Sequence, residues 1–193
     1  MMKTRILDVG CGIEQKLKVP PDGELVRLDA NPDIPADFHC DIREPLPFGE
    51  EFDIVVASHV LEHIEHDRVP KTLINLRNVL REDGELHIIV PALEWAASEI
   101  LSPKTSIAVM GLIYGAQFTP YEFHKCGFTL MWLRDLVSIT GMIPRKATQS
   151  QFVVVAGGQQ YPAIQNVVIA MRHKAFEKEA NDRLDPDPAE ALA

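Results

Sequence analysis

Thr4 to Val9 is an apolar stretch that runs straight into Gly10-Cys11-Gly12. Its β-branched and aliphatic content, followed at once by two glycines, reads as a strand ending in a tight turn. Glycine lacks a Cβ and tolerates positive φ, so a ligand can approach the backbone closely there. A strand feeding a G-x-G turn is the usual opening of a nucleotide-binding α/β domain, where ligands sit beyond the carboxyl ends of parallel strands. Glycine pairs also close ordinary turns, so the other walls of a site have to come from the rest of the chain.

The next elements supply some of them. Ile13 to Val19 leaves room only for a short helix before Pro20-Pro21 and Asp22-Gly23. Glu24 to Leu28 reads as a second strand ending at Asp29. That aspartate lies 19 positions after Gly10, near the spacing at which an acidic residue meets ribose hydroxyls. A short third strand around Asp37 to Cys40 leads to Asp41-Ile42. The link between strands two and three has little room for a helix, so this sheet edge is predicted to be trimmed. Phe52 to Ala57 is the clearest strand, a near-continuous apolar run typical of a parallel strand buried on both faces.

Asp67 is predicted to cap a helix with Pro70 in its first turn and Val69, Leu73, Leu76 and Leu80 at helical spacing. Lys71, Arg77 and Arg81 read as its solvated face. Glu82-Asp83-Gly84 ends it, and Glu85 to Val90 is a fifth strand stopped by Pro91. The stretch 92–127 is irregular and carries Trp95, Tyr114, Tyr121 and His124, which suggests a lid over the strand ends. Thr129 caps a helix bearing Leu130, Leu133, Val137 and Thr140, closed by Gly141, and Trp132 reads as core. Gln151 to Ala156 and Gln165 to Arg172 pair as a hairpin across a loop with Gly157-Gly158 and Pro162. From Phe176 onward the chain is charged and proline-punctuated, as in a frayed helix or a disordered tail. Alternating strands and helices with a final hairpin imply an α/β domain with a mostly parallel sheet.

Composition narrows the partners. The 193 residues suit one domain with a sizeable core. A net charge of −9 argues against a polyanion such as nucleic acid, whose binding needs a basic face. Cys11, Cys40 and Cys126 form neither a C-x-x-C pair nor a disulfide framework, which points to a reducing compartment. With no leader-like start and no apolar run of membrane-spanning length, a soluble cytoplasmic protein is expected.

The order of pieces from Thr4 to Lys174 resembles the class I S-adenosylmethionine-dependent methyltransferases. Leu7-Asp8-Val9-Gly10-Cys11-Gly12 resembles the family's first motif, and Asp29 stands where an acidic residue ends the second strand. Cys40-Asp41-Ile42 with Pro45-Leu46-Pro47-Phe48 resembles the adenine-side loop. Phe52 to Ile64, then Leu80 to Leu86, resembles the fourth motif and the turn before strand five. Ile113-Tyr114-Gly115-Ala116-Gln117 and His124-Lys125-Cys126-Gly127-Phe128 resemble a subset of small uncharacterised bacterial and phage methyltransferase-like proteins. The resemblance implies a Rossmann-like, mostly parallel seven-stranded sheet, trimmed, with a C-terminal antiparallel hairpin. It implies a domain over residues 1–175, a lid insertion near 92–127, and a flexible tail over 176–193.

It also implies S-adenosyl-L-methionine as cofactor, held by Asp8, Gly10, Cys11, Gly12, Asp29, Ala30, Asp41, Ile42, Ser58 and His59. Asp29 can accept both ribose hydroxyls, since a carboxylate offers two acceptor oxygens. Asp41 can accept the adenine amine, and Ile42 can pack on the ring. His124 and His59 are candidate bases, with Tyr114 orienting the acceptor, although His124 could equally pack and Tyr114 or Trp95 could simply fill under a loop. His59, Glu62, His63 and His66 lack H-E-x-x-H spacing, and no metal is expected. The third small residue of the family motif is replaced by Glu14, which would crowd a bound carboxylate unless it points away. That departure and the short crossovers keep a second reading open, a non-catalytic module with an assembly or regulatory role. A nicotinamide-dependent oxidoreductase would need glycine where Gln15 stands. The expected acceptor is a small molecule, a glycan or a protein side chain, with no nucleic acid or membrane partner.

Overall fold

A computed structural model describes residues 3–14, 17–102, 107–156 and 158–184. The sheet has seven strands in the order β3-β2-β1-β4-β5-β7-β6. They are β1 (Thr4–Val9), β2 (Gly23–Asp29), β3 (Phe38–His39), β4 (Phe52–Ser58), β5 (Leu80–Pro91), β6 (Met142–Ala156) and β7 (Gln159–Arg172). The first five run parallel, while β7 is antiparallel to both β5 and β6. The sheet is therefore Rossmann-like, mostly parallel, with a C-terminal antiparallel hairpin. After β3 at the edge, the chain returns to place β4 beside β1. That reversal opens a crevice at the carboxyl ends of β1 and β4, where such sheets bind ligands.

Helices α1 (Val69–Asn78), α2 (Leu93–Ile100), α3 (Ile107–Tyr114), α4 (Leu130–Ile139) and α5 (Glu177–Leu184) complete the domain. Leu7, Val55, Leu86, Ile88 and Val168 from the strands meet Leu73, Leu76, Leu133 and Val137 of α1 and α4 in one core. Thr129 caps α4 by accepting a hydrogen bond from the Trp132 N–H. Trp132 packs against the core, stacked on Phe128 and on His66.

Several local expectations change. No described residue between Ile13 and Val19 is helical, residues 15 and 16 lying outside the described ones. So few residues before Pro20-Pro21 cannot offset the cost of nucleating a helix. Asp67 does not cap α1. It sits inside a 3₁₀ turn, His66–Arg68, and Arg68 occupies the N-cap position without a side-chain cap. Leu80 opens β5 instead of closing α1, and Asp83 takes a positive φ of 61° in an irregular stretch of that strand. The lid is more regular than its sequence suggests, because α2 and α3 form within it. The hairpin is also longer than its apolar runs, because backbone pairing continues where side-chain patterning stops.

Arg77 is not a solvated residue. It is 1% exposed and donates to Thr140 O at 2.7 Å and to Asn181 Oδ1 at 2.9 Å. Arg172, equally buried, bonds Leu80 O, Glu177 at 2.6 Å and Glu50 at 2.8 Å. These two guanidiniums bind α5 to the domain and Ala180 is buried there, so residues 177–184 are an attached helix. Residues 185–193 of the expected tail lie outside the described residues.

Candidate functional site

The crevice is a groove of about 940 Å³. Gly10 and Gly12 both have φ of 62°, which an L side chain adopts at a cost. A Cβ at Gly10 would strike Val60, whereas one at Gly12 would meet nothing within 4 Å. The Gly12 backbone thus faces open space. No described residue between this loop and β2 is helical, and the loop is held from β2: Arg27 donates to Gly12 O at 2.6 Å, Ile13 O at 3.3 Å and Pro35 O at 2.8 Å. Asp29, at the end of β2, accepts the Gly12 N–H at 3.0 Å on one oxygen and the Asn31 N–H at 2.9 Å on the other. Each oxygen keeps a lone pair for a ligand.

Across the groove, Asp41 is gripped by Arg43 through Nε and NH2, the shortest contact being 2.6 Å. That guanidinium holds the Asp41 carboxyl below its ordinary range. Arg43 also reaches Glu65 at 3.0 Å, and Lys125 meets the same carboxylate at 2.8 Å. Hydrogen bonds from Lys125, from the Glu65 backbone and from Arg43 pull Glu65 from 4.5 to about 2. The three side chains clasp the β3–β4 loop and the lid to the segment after β4.

That segment leaves β4 through His59, whose φ of 55° is a left-handed conformation uncommon outside glycine. Its ring has Nε2 3.0 Å from Gln165 Oε1 and Nδ1 3.3 Å from Glu62 Oε1. The Lys125 and Cys126 N–H groups both donate to Glu62 O, at 2.7 and 3.1 Å. They bring His124 over residue 62. His124 Nδ1 lies 2.9 Å from Leu112 O, and its ring packs edge-on against His63 with centroids 4.8 Å apart. Burial pushes the His124 pKa down despite the nearby Glu62 charge, so the ring is neutral at pH 7. His124, Glu62 and Tyr114 also wall a smaller cavity of about 200 Å³ beneath the lid.

The sequence over residues 3–123 matches the family model described as "Methyltransferase domain". The chain belongs to this methyltransferase family. Its cofactor is S-adenosylmethionine. A solved structure from work on converting a disulfide bond into a thioacetal group during echinomycin biosynthesis is similar at 18% identity, with TM-score 0.64 over 98% of this chain and 82% of the other. A Methanosarcina mazei SAM-dependent methyltransferase is similar at 14% identity, with TM-score 0.62 over 90% of this chain and 94% of its own. The Burkholderia thailandensis 1,6-didemethyltoxoflavin-N1-methyltransferase, solved with its substrate and S-adenosylhomocysteine, shares 17% identity, with TM-score 0.57 over 89% of this chain and 72% of its own. No curated protein matches the sequence. Among the described residues, no helix of the methyltransferase is long and apolar enough to cross a membrane.

Of the residues singled out in the sequence, Gly10, Gly12, Asp29, Ala30, Asp41, Ile42 and His59 line the methyltransferase's groove. Asp8, Cys11 and Ser58 are not part of its lining, and Asp8 and Cys11 are buried at 6% exposure. The Cys11 N–H donates to Leu28 O at 3.1 Å. Tyr114 and His124 border the inner cavity instead, with Tyr114 57% exposed. Glu14 is exposed, and the groove wall there is Ile13. Sequence reasoning missed Arg27, Arg43 and Lys125. A lone arginine inside a strand carries no motif, and its partners come from loops that only folding brings near.

Proposed function

We propose that the methyltransferase holds S-adenosylmethionine in the 940 Å³ groove and methylates a small-molecule, glycan or protein acceptor reached through the lid side. The observation that carries this reading is the coupling of Gly12 to Asp29. An open backbone face and a carboxylate with spare lone pairs are tied together at 3.0 Å, the pairing that a nucleoside with a charged tail requires. Asp29 would accept the ribose hydroxyls, the Gly10–Gly12 backbone would face the methionine part, and Asp41 with Ile42 would meet the adenine. When bound, the cofactor supplies an already activated methyl group. The protein's share is then to align the acceptor, which can supply much of the rate.

His59 is the base this reading favours for an acceptor that must lose a proton. Glu62, buried 3.3 Å from His59 Nδ1, stabilises the charged ring, and Gln165 orients it. His124 is a second neutral imidazole nearby, and Tyr114 stands at the cavity rim as an orienting group. Net charge of −9 favours an acceptor other than a polyanion. Three free thiols, Cys11, Cys40 and Cys126, fit a reducing cytoplasm.

Calorimetric titration with S-adenosylmethionine and S-adenosylhomocysteine tests the assignment. Micromolar binding that Asp29→Ala abolishes is the expected result. Binding that survives Asp29→Ala unchanged would place the nucleoside elsewhere and sink this use of the groove.

A further inference from the structure

Glu62 is 2% exposed, and neither of its carboxylate oxygens accepts a hydrogen bond from the described residues. A carboxylate taken out of water without a donor is strongly disfavoured. The surrounding rings offer it lone pairs in place of protons. A backbone carbonyl can only accept, so His63 Nδ1 donates to Phe123 O at 3.1 Å and His124 Nδ1 donates to Leu112 O at 2.9 Å. A ring held this way with a single proton has its lone pair on Nε2. Gln165 Nε2 donates to Ser150 Oγ at 3.1 Å, which leaves Gln165 Oε1 to accept from His59 Nε2. The His59 Nδ1 lone pair then faces Glu62 as well. Acceptors converge on an acceptor, and the centre of the cluster calls for a cation.

One ligand atom each of Glu62, His63 and His124 lies within 4.8 Å of the other two. Metal-bound histidines characteristically donate their other N–H to a carbonyl or carboxylate, which fixes the tautomer and aims the ring. His63 and His124 are both fixed in this way by backbone carbonyls. Two imidazoles and one carboxylate suit divalent first-row transition metals and leave coordination positions open. We propose that Glu62, His63 and His124 bind such an ion, and that an open position takes a hydroxyl oxygen of the methyl acceptor. His63 borders the groove, while Glu62 and His124 border the inner cavity, so the ion would sit where the two spaces meet. A hydroxyl bound there gives up its proton far more readily than a free one, and the His59 Nδ1 lone pair beside Glu62 takes it as the O–H bond breaks. This role for the acceptor rests on the methyl-transfer reading, whereas the metal site itself does not. It makes His124 a ligand and leaves His59 as the base. The constellation has no spacing motif because His124 arrives from the lid.

The test titrates the chelator-treated full chain with Co²⁺, read by calorimetry and by visible absorption. One equivalent should bind and give ligand-field bands. Glu62→Gln, His63→Ala and His124→Ala should each weaken binding by about tenfold or more, with circular dichroism confirming the fold. His63 is half-exposed, so its variant tests the site even where Glu62→Gln disturbs packing. His173→Ala, far from the cluster in the chain, should change nothing. Acetohydroxamate, an oxygen chelator, should shift the bands by taking an open position. No cobalt binding, or unchanged affinity in folded ligand variants, overturns the site and leaves protons as the missing cations. Bands indifferent to acetohydroxamate overturn the acceptor role. Cobalt binding without S-adenosylhomocysteine binding upholds the metal site and overturns the methyl-transfer reading. The reverse pattern overturns the metal alone.

Discussion

Arg27 points its guanidinium at three backbone carbonyls, those of Gly12, Ile13 and Pro35, and so ties the glycine loop to β2 and to the turn after it. Charged donors to backbone carbonyls contribute about 1.5–3 kcal/mol each way they are counted. Arg27→Met should therefore weaken S-adenosylhomocysteine binding by about tenfold or more, the equivalent of about 1.4 kcal/mol. Titration calorimetry reads this directly, and unchanged affinity would show that the loop holds its shape unaided. Asp29 was legible because its distance from the glycines is set by one strand-turn-strand passage. Arg27 was not, because its acceptors are main-chain oxygens, which no sequence displays. Arg77 is the sharper case: its place on a charged helix face suggested solvent, yet α4 and α5 close over it.

At the scale of elements, the segment after β4 is joined to two neighbours by charge. Glu65 receives Arg43 from the β3–β4 loop and Lys125 from the lid. Its folded pKa, about 2, lies below the ordinary 4.5. A depressed carboxyl contributes stability that is fully present above pH 4.5 and lost as pH falls towards 2. The carboxylate is 38% exposed, so solvent screening limits the contribution to about 1 kcal/mol. Glu65→Gln should thus be less stable than the natural chain at pH 7 and nearly equal to it near pH 2.5. Urea denaturation at the two pH values checks this, and an identical difference at both would rule out the clasp. The helices and strands around it were largely readable from periodicity. The cap of α1 was not, because a 3₁₀ turn took Asp67 out of the capping position.

Across the whole molecule, the groove lies between the glycine loop, the β3–β4 loop and the lid, so a ligand there ties together parts that are far apart in the chain. Ligand at about one hundred times its dissociation constant adds about 2.7 kcal/mol to folding. For a chain of this length, S-adenosylhomocysteine at that level should raise the melting temperature by about 5–10 °C. Thermal unfolding followed by circular dichroism measures the shift, and none at saturating ligand would mean that binding does not bridge the groove. The amino-acid order by itself determined the parallel sheet, the hairpin and the glycine–aspartate edge of the site, because each depends on residues close in sequence or on a repeating apolar pattern. Only the tertiary structure decided that Glu62, His63 and His124 meet, that Arg43 and Lys125 share Glu65, and that two buried arginines bind the last helix. Those contacts join residues tens of positions apart through backbone carbonyls and loop shapes, and they exist only once the core has packed.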